Sequence, residues 1–550
     1  MGRAGGQWAL GYREPLTGAE RIKRDDDGLN VRERILSTYS RQGFSSIWPD
    51  DLRSRFRWWG LYTQRIPGAR GELEEIEDEH FMLRIRIPGG QLTTAQLRAI
   101  AWASETFGRD VADVTDRQNV QLHWIRIEDV PAIWEAIEAV GLTTAEACGD
   151  VPRNIIGCPL AGIAADEVID ATPWLLETHR RYTGDPAFSN LPRKYKTSIS
   201  GCAHQCAQHE INDLGLVGVH GPGGRPGFDA WVGGGLGPHP RLAQRLGVFV
   251  EPERVPEVWA AVTALFRDYG YRRHRAHARL KFLVADWGPE RVREVLEREY
   301  LSRPLPDGDP PPPSPSAHRN HLGVHEQRDG RLYVGFAPRA GRTSGSQLRR
   351  VADLADRYGT GRVRATSEQK LVLLDVARDR VDELVAALEE DGLAVSPGSF
   401  RAGTMACTGI EFCKLAVVET KGRARWLYEE LERRLPDFDE PVRINVNGCP
   451  NSCARLQLAD IGLLGALVPG PDGDRVEGFH VHLGGGLGEN ARFARRLKGA
   501  RLPAEEAADY VEALLRRYRD TRHPGEAFSA WVQRVEESLL SPEALATGAR

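Results

Sequence analysis

The sequence predicts an α+β protein made of two homologous halves packed about a pseudo-twofold axis, and three observations carry that expectation. The first is an internal repeat far longer than a solenoid period. Ser200-Gly201-Cys202-x3-Cys206 is matched by Asn447-Gly448-Cys449-x3-Cys453, both cysteines being displaced by 247 positions. At the same offset Asp213-Leu214-Gly215-Leu216-Val217-Gly218 is matched by Asp460-Ile461-Gly462-Leu463-Leu464-Gly465. Each copy then reaches Gly-Gly-Gly-Leu-Gly, at Gly233 to Gly237 and at Gly484 to Gly488, and Gln96-Leu97-Arg98 and Gln118 recur upstream as Gln347-Leu348-Arg349 and Gln369. The second observation is a strand–helix–strand–helix pattern opening each half. The third is a proline-rich break between them.

Taken in order, residues 1–72 are expected to form an N-terminal arm with no counterpart in the second half, and 73–145 the first strand–helix unit. There Phe81, Leu83, Ile85 and Ile87 alternate with Met82, Arg84 and Arg86, as in a half-buried strand. Thr93-x-x-Gln96 reads as a capping box opening a helix over Ala95 to Phe107, followed by a strand over Asn119 to Ile125 and a helix over Val130 to Val140. Residues 146–303 mix strands and helices around the first cysteine and glycine motifs. Within 304–320, Asp309-Pro310-Pro311-Pro312-Pro313-Ser314-Pro315 favours extended polyproline II and reads as a linker. Residues 321–398 and 399–550 repeat the two units.

The 550 residues exceed what one core organises and suggest three or four domain-sized units. At 41% hydrophobic, 27% charged and net charge −4, the composition is that of a globular protein with no general call for nucleic acid or an anionic membrane. Met1 to Gln7 lacks the apolar stretch of a signal peptide, and no run approaches the ~18 apolar residues of a membrane span, so a cytoplasmic protein is expected.

The cysteines carry the chemistry. Cys407-x5-Cys413 and Cys449-x3-Cys453 form two hooks whose irregular spacing suits the four thiolates of a cubane iron–sulfur cluster. A structural zinc site prefers C-x2-C or C-x4-C knuckles, and a disulfide framework does not suit eight cysteines in a long chain of this kind. The halves have diverged: Arg84 and Arg86 are replaced by Gly335 and Ala337, and Lys194-Tyr195-Lys196 by Pro441-Val442-Arg443. Where the first hook should fall, the first half offers only Cys158. One half is thus cationic, with Arg84, Arg86, Arg153, Lys194 and Lys196, and the other metal-bearing. That division points to one site at the junction, an anion and a redox centre being supplied from opposite sides. Gly-Gly-Gly-Leu-Gly is not a dinucleotide fingerprint, so electrons are expected from a separate protein.

These residues resemble the sirohaem- and [4Fe–4S]-containing sulfite and nitrite reductases over nearly the whole chain. The carriers are the two hooks, Asp116-Arg117-Gln118-Asn119-Val120-Gln121, and Arg193-Lys194-Tyr195-Lys196. Arg55-Phe56-Arg57-Trp58-Trp59-Gly60-Leu61-Tyr62-Thr63-Gln64-Arg65 looks more narrowly like the actinobacterial ferredoxin-dependent sulfite reductases. The resemblance implies two ferredoxin-like segments paired with two sirohaem-binding α/β halves. It implies that Cys407, Cys413, Cys449 and Cys453 hold the cluster, with Cys453 also the proximal ligand of the sirohaem iron. Arg84, Arg153, Lys194 and Lys196 would surround the oxyanion, and Arg117, Gln118, Gln121, Arg55 and Arg57 would meet the macrocycle. Tyr62 and Cys148 match a pair that forms a thioether crosslink in the actinobacterial branch. Cys202 and Cys206 read as a relic of the cluster motif packed as small hydrophobes, the alternative being a second metal site with Cys158 and Cys148.

Ala454-Arg455, the Arg55–Arg65 segment and Ala147-Cys148-Gly149-Asp150 favour sulfite, whereas Gln457-Leu458-Ala459-Asp460 looks more like nitrite reductases. The expected partners are reduced ferredoxin and the oxyanion, and a monomer is expected. A non-catalytic iron–sulfur carrier and a zinc-stabilised scaffold are the rival readings.

Overall fold

The computed structural model describes residues 16–69, 71–72, 75–314, 319–470 and 473–547; the start of the expected arm and residues 315–318 of the expected linker lie outside it. Among the described residues twenty strands form four five-stranded sheets, two per half. In the first half β1 (Leu61–Arg65), β2 (Glu77–Ile85), β3 (Gln91–Thr93), β4 (Ala112–Val114) and β5 (Val120–Ile125) precede β6 (Pro152–Gly157), β7 (Tyr195–Ser200), β8 (Leu214–His220), β9 (Pro226–Val232) and β10 (Gln244–Val250). The second half repeats them as β11 (Gly323–Glu326), β12 (Leu332–Phe336), β13 (Arg342–Thr343), β14 (Arg362–Ala365) and β15 (Leu371–Val376). It continues with β16 (Thr404–Ala406), β17 (Ile444–Asn447), β18 (Ile461–Pro469), β19 (Arg475–Leu483) and β20 (Arg495–Pro503).

The first pair of sheets exchanges edges. One runs β1-β2-β5-β4-β13 and the other β11-β12-β15-β14-β3, so each half lends its short third strand to the other's sheet. Helix Thr94–Phe107, opened by the expected Thr93/Gln96 capping box, faces its repeat Gly345–Tyr358, and Arg98 pairs with Asp353 and Asp356 at 2.7 and 2.8 Å. One core serves both sheets: Phe81, Leu83, Ile85, Leu97 and Ile100 pack with Val334, Phe336, Leu348 and Leu373. Val31, Ile35, Tyr39 and Phe56 join it, so the described arm is a packed part of this core.

The other sheets, β10-β9-β8-β7-β6 and β16-β17-β18-β19-β20, share one topology: three parallel strands, then two antiparallel. Parallel neighbours deliver both turns that follow them to the same sheet end. Each sheet has its own core. The linker lies along the first half: Phe249 N donates to Pro306 O at 2.8 Å and Gln205 Nε2 to Pro312 O at 2.8 Å. Among the described residues no helix is long and apolar enough to cross a membrane.

Candidate active site

The two cysteine hooks leave adjacent parallel strands. β16 pairs with β17 through Ala406↔Val446, so Cys407 and the Gly448–Cys453 turn emerge side by side. Gly448 fits because a Cβ there would come within 2.6 Å of Ala416 Cβ. Its N–H donates to Cys407 Sγ at 3.2 Å, and Thr420 Oγ1 donates to Cys407 O at 2.7 Å. Asn447 Oδ1 accepts from Ala454 N at 2.8 Å, closing the second hook. Cys407, Cys413 and Cys449 are half-buried and Cys453 is exposed. Burial, reinforced by the charge of Cys453, pushes the Cys407 thiol up to about 12 and the Cys449 thiol up to about 11. Four thiolates sharing one neighbourhood repel unless cations sit among them, and an N–H···S bond is a standard feature of cluster sites; the donor set fits a four-iron cubane.

Opposite Cys453 stands the cationic side. Arg84 on β2 directs Nε to Gln121 Oε1 at 3.1 Å and Nη1 to Cys148 Sγ at 2.9 Å. Gln121 in turn donates to Thr408 Oγ1 at 3.3 Å, tying the arginine to the residue after Cys407. Arg153 on β6 donates to Gly149 O at 2.8 Å. Lys194 and Lys196 flank buried Tyr195, and neither ammonium bonds to another described residue. Burial pushes Lys194 down to about 7, the charge of Arg279 adding to it and that of Cys453 opposing; burial and Arg117 hold Lys196 well below the usual range. Desolvated ammonium groups without partners gain most from an arriving anion. Arg84, Arg153, Lys194 and Cys453 therefore share one electrostatic neighbourhood.

Other residues singled out in the sequence have different roles here. Arg55 is buried, donating to Asp51 Oδ1 at 2.8 Å and Ile22 O at 3.1 Å; its guanidinium is occupied within the arm rather than turned to a cofactor. Gln118 is likewise a backbone clamp: its amide donates to Gly157 O and Ala365 O at 3.0 and 2.9 Å and accepts from Gly157 N. Arg117 is held by Asn154 O, Thr197 O and Asn212, its three partners lying around β6 and β7. Arg86, expected on the anion face, is buried against Pro152 O, Arg153 O and Glu146. Arg57 lies 5.5 Å from the Tyr62 ring and lines a cleft of about 310 Å³ with Arg53, Trp58 and Arg275. Tyr62 and Cys148 are electrostatic neighbours, both close to Arg84. Sequence reasoning missed Arg279, which pairs with Asp213 at 2.7 Å, and Thr408; the repeat of Asp213 at Asp460 was the signal for the former.

Two family models match the chain. The nitrite and sulphite reductase 4Fe-4S domain matches residues 148–305 and 398–539, and the nitrite/sulfite reductase ferredoxin-like half domain matches 74–140 and 325–391. Sulfite reductase [ferredoxin] 1 of Mycolicibacterium paratuberculosis is 53% identical, covering 97% of this chain and 98% of that protein. The assimilatory ferredoxin-dependent nitrite reductase of Haloferax mediterranei is 38% identical, covering 94% and 91%. The solved structure of the Mycobacterium tuberculosis NirA protein superposes with a TM-score of 0.94 at 52% identity, over 97% of this chain and 99% of that one. With its duplicated half domains, its four converging thiols and near full-length identity to these proteins, the chain belongs to the nitrite and sulphite reductase family.

Proposed function

We propose that this chain is a ferredoxin-dependent sulfite reductase, carrying out the six-electron reduction of sulfite to sulfide with a sirohaem coupled to a [4Fe–4S] cluster. The observation that carries the reading is the electrostatic neighbourhood that Arg84, Arg153 and Lys194 of one half share with Cys453 of the other, with Lys196 beside Lys194. An electron carrier would have no use for that cationic face. Sulfite is favoured over nitrite because relatives named for sulfite are 52–53% identical and relatives named for nitrite 35–38%.

In this reading Cys407, Cys413, Cys449 and Cys453 would hold the cluster, and Cys453 would also hold the sirohaem iron. The coupled groups, when bound, supply electrons to the substrate. The chain binds and orients the anion: Arg84, steadied by Gln121, and Arg153 offer fixed donors, while Lys196, whose ammonium form burial and Arg117 disfavour, regains its charge as the anion arrives. Lys194, pushed down to about 7, can release a proton to a departing oxygen and regain one at neutral pH. Arg57, with Arg53 and Arg275 around the same cleft, would meet the macrocycle's carboxylates. Tyr62 and Cys148 would join through a carbon–sulfur bond, a two-electron oxidation in which dioxygen takes the ring and thiol hydrogens as hydrogen peroxide; the contact of Arg84 with Cys148 Sγ supports a held thiol. Reduced ferredoxin is the proposed donor, and a cytoplasmic monomer the proposed state.

Steady-state turnover with reduced ferredoxin, comparing kcat/KM for the two anions, tests the reading. Sulfide formation with the higher kcat/KM for sulfite is expected; a preference for nitrite would reassign the substrate. Peptide mass spectrometry tests the crosslink, which yields one joined peptide two hydrogens lighter than its parts.

A further inference from the structure

We propose that the first half carries a second metal centre, a single zinc ion held by Cys158, Cys202, Cys206 and His321. A ligand atom from each of Cys158, Cys206 and His321 lies within 4.8 Å of the other two. The Cys202 thiol is within hydrogen-bonding reach of both Cys158 and Cys206, and its sulfur also accepts from Cys206 N at 3.5 Å. All four residues are buried, at 3–6% exposure. Two thiols and an imidazole thus meet directly, and the Cys202 thiol stands against the two thiols but farther than 4.8 Å from His321, so it must close in when the ion binds; the four come from three separate stretches, the turn after β6, the hook after β7 and the segment before β11.

The spacing selects one ion rather than a cluster. Zinc bonds sulfur at about 2.3 Å and imidazole nitrogen at about 2.0–2.1 Å in a tetrahedron, which places its ligand atoms about 3.5–3.8 Å apart. A cubane holds its thiolates at separate iron corners and spreads them wider. The second-half cysteines form no comparably tight group among the described residues.

The site is the cluster position of the duplicate, contracted. β6 meets β7 at Gly157↔Ile199 as β16 meets β17 at Ala406↔Val446, so Cys158 stands where Cys407 stands. Cys202 and Cys206 correspond to Cys449 and Cys453. The counterpart of Cys413 is Ala164, packed with Leu160, Ile163, Tyr333 and Val372, and His321 enters instead. His321 has a left-handed backbone, φ 63°, and its carbonyl lies on Gly335, where a Cβ would come within 1.7 Å of it. Such strain persists where the surroundings hold it, and it is common at ligand sites. Arg319 and Arg364 are within electrostatic reach of Cys206 and Cys158 and offset the negative charge that three thiolates leave over one Zn2+. The thiols lose their protons on binding, and no electrons are exchanged. The ion would staple the segment after the linker, and with it the β12–β15 sheet, to the first half.

Zinc K-edge absorption and metal content of the chelator-washed holoenzyme, made in zinc-supplemented medium, test this without reference to turnover. The expectation is about one zinc per chain with three sulfur neighbours and one nitrogen. Cys206→Ser and His321→Ala should lose zinc while keeping the iron content of the parent. The parent's own spectrum decides the matter should either variant fail to fold. A washed holoenzyme with no stoichiometric zinc, a disulfide among the three cysteines, or zinc retained by a folded Cys206→Ser would each overturn the site.

Discussion

Asp213 and Asp460 occupy equivalent positions in the two sheets that flank the site, yet they neutralise themselves differently. Each accepts the backbone N–H at the start of the neighbouring strand, Lys196 N at 2.8 Å and Arg443 N at 2.9 Å. Asp460 then takes the Arg443 side chain itself, at 3.0 Å. Asp213 instead takes Arg279, at 2.7 Å, a residue from beyond helix Val255–Tyr269. Arg443 and Lys196 are the same position in the repeat. The second half therefore consumes that cation in a structural pair, and the first leaves it facing the site. The backbone did not have to change: Gln118 and Gln369, Gln205 and Ser452, and Gln208 and Arg455 keep positive φ at corresponding places. Specialisation came from which side chain balances a retained carboxylate.

The cysteines offer the harshest way to break the comparison. Serine at Cys407, Cys413, Cys449 or Cys453 should abolish turnover, a loss of about 1,000-fold or more, and release iron, because a cubane missing a thiolate is labile. The same change at Cys158, Cys202 or Cys206 should leave iron content at the parental value; iron assay of the purified variants checks both. Next comes the liberated cation. Lys196→Met should lower kcat/KM by ~10- to 1,000-fold with sirohaem content retained, the scale of removing an electrostatic stabiliser. Arg279→Met should act in the same direction, because Asp213 is then free to capture Lys196, whereas Arg443→Met should lower Tm and spare kcat/KM.

A smaller effect sharpens the role of Lys194. Its ammonium is pushed down to about 7, so its charge is present below that pH and fades above it. Turnover of nitrite, whose own charge is constant in this range, should weaken as pH rises through 7, and Lys194→Arg should flatten that limb of the profile. The smallest effect on activity is expected at the paired clamps. Gln118 bonds both backbone groups of Gly157, and Gln369 bonds both of Ala406. Alanine at either position should cost about 1–3 kcal/mol of stability by leaving buried polar groups unpaired, more at Gln118, which also bonds Ala365 O, with kcat/KM unchanged. Denaturant unfolding measures this, and a larger loss at Gln369 would show that the halves differ in more than their side-chain partners.

Much of the architecture was determined by the sequence alone. Repeated motifs at a constant offset specify duplication, alternating residues specify β2, and Thr93 with Gln96 specifies the start of its helix, because each signal lies within one strand or turn of local chain. The cluster hooks belong to the same class, since each pair sits in one short turn. What only the tertiary structure decided is where long, charged or polar side chains end. Arg55, Arg86 and Gln118 look like cofactor or anion ligands in one dimension, and each is satisfied by groups brought from elsewhere, Ile22 O, Pro152 O and Gly157. Lys196 is available because Arg279, remote in sequence, relieves Asp213. The edge strands β3 and β13 change sheets, and His321 meets Cys158 and Cys206 of the first half across the linker. Local pattern records the backbone's periodicity; a polar side chain's role depends on which desolvated charge lies at its tip, and only the folded chain settles that.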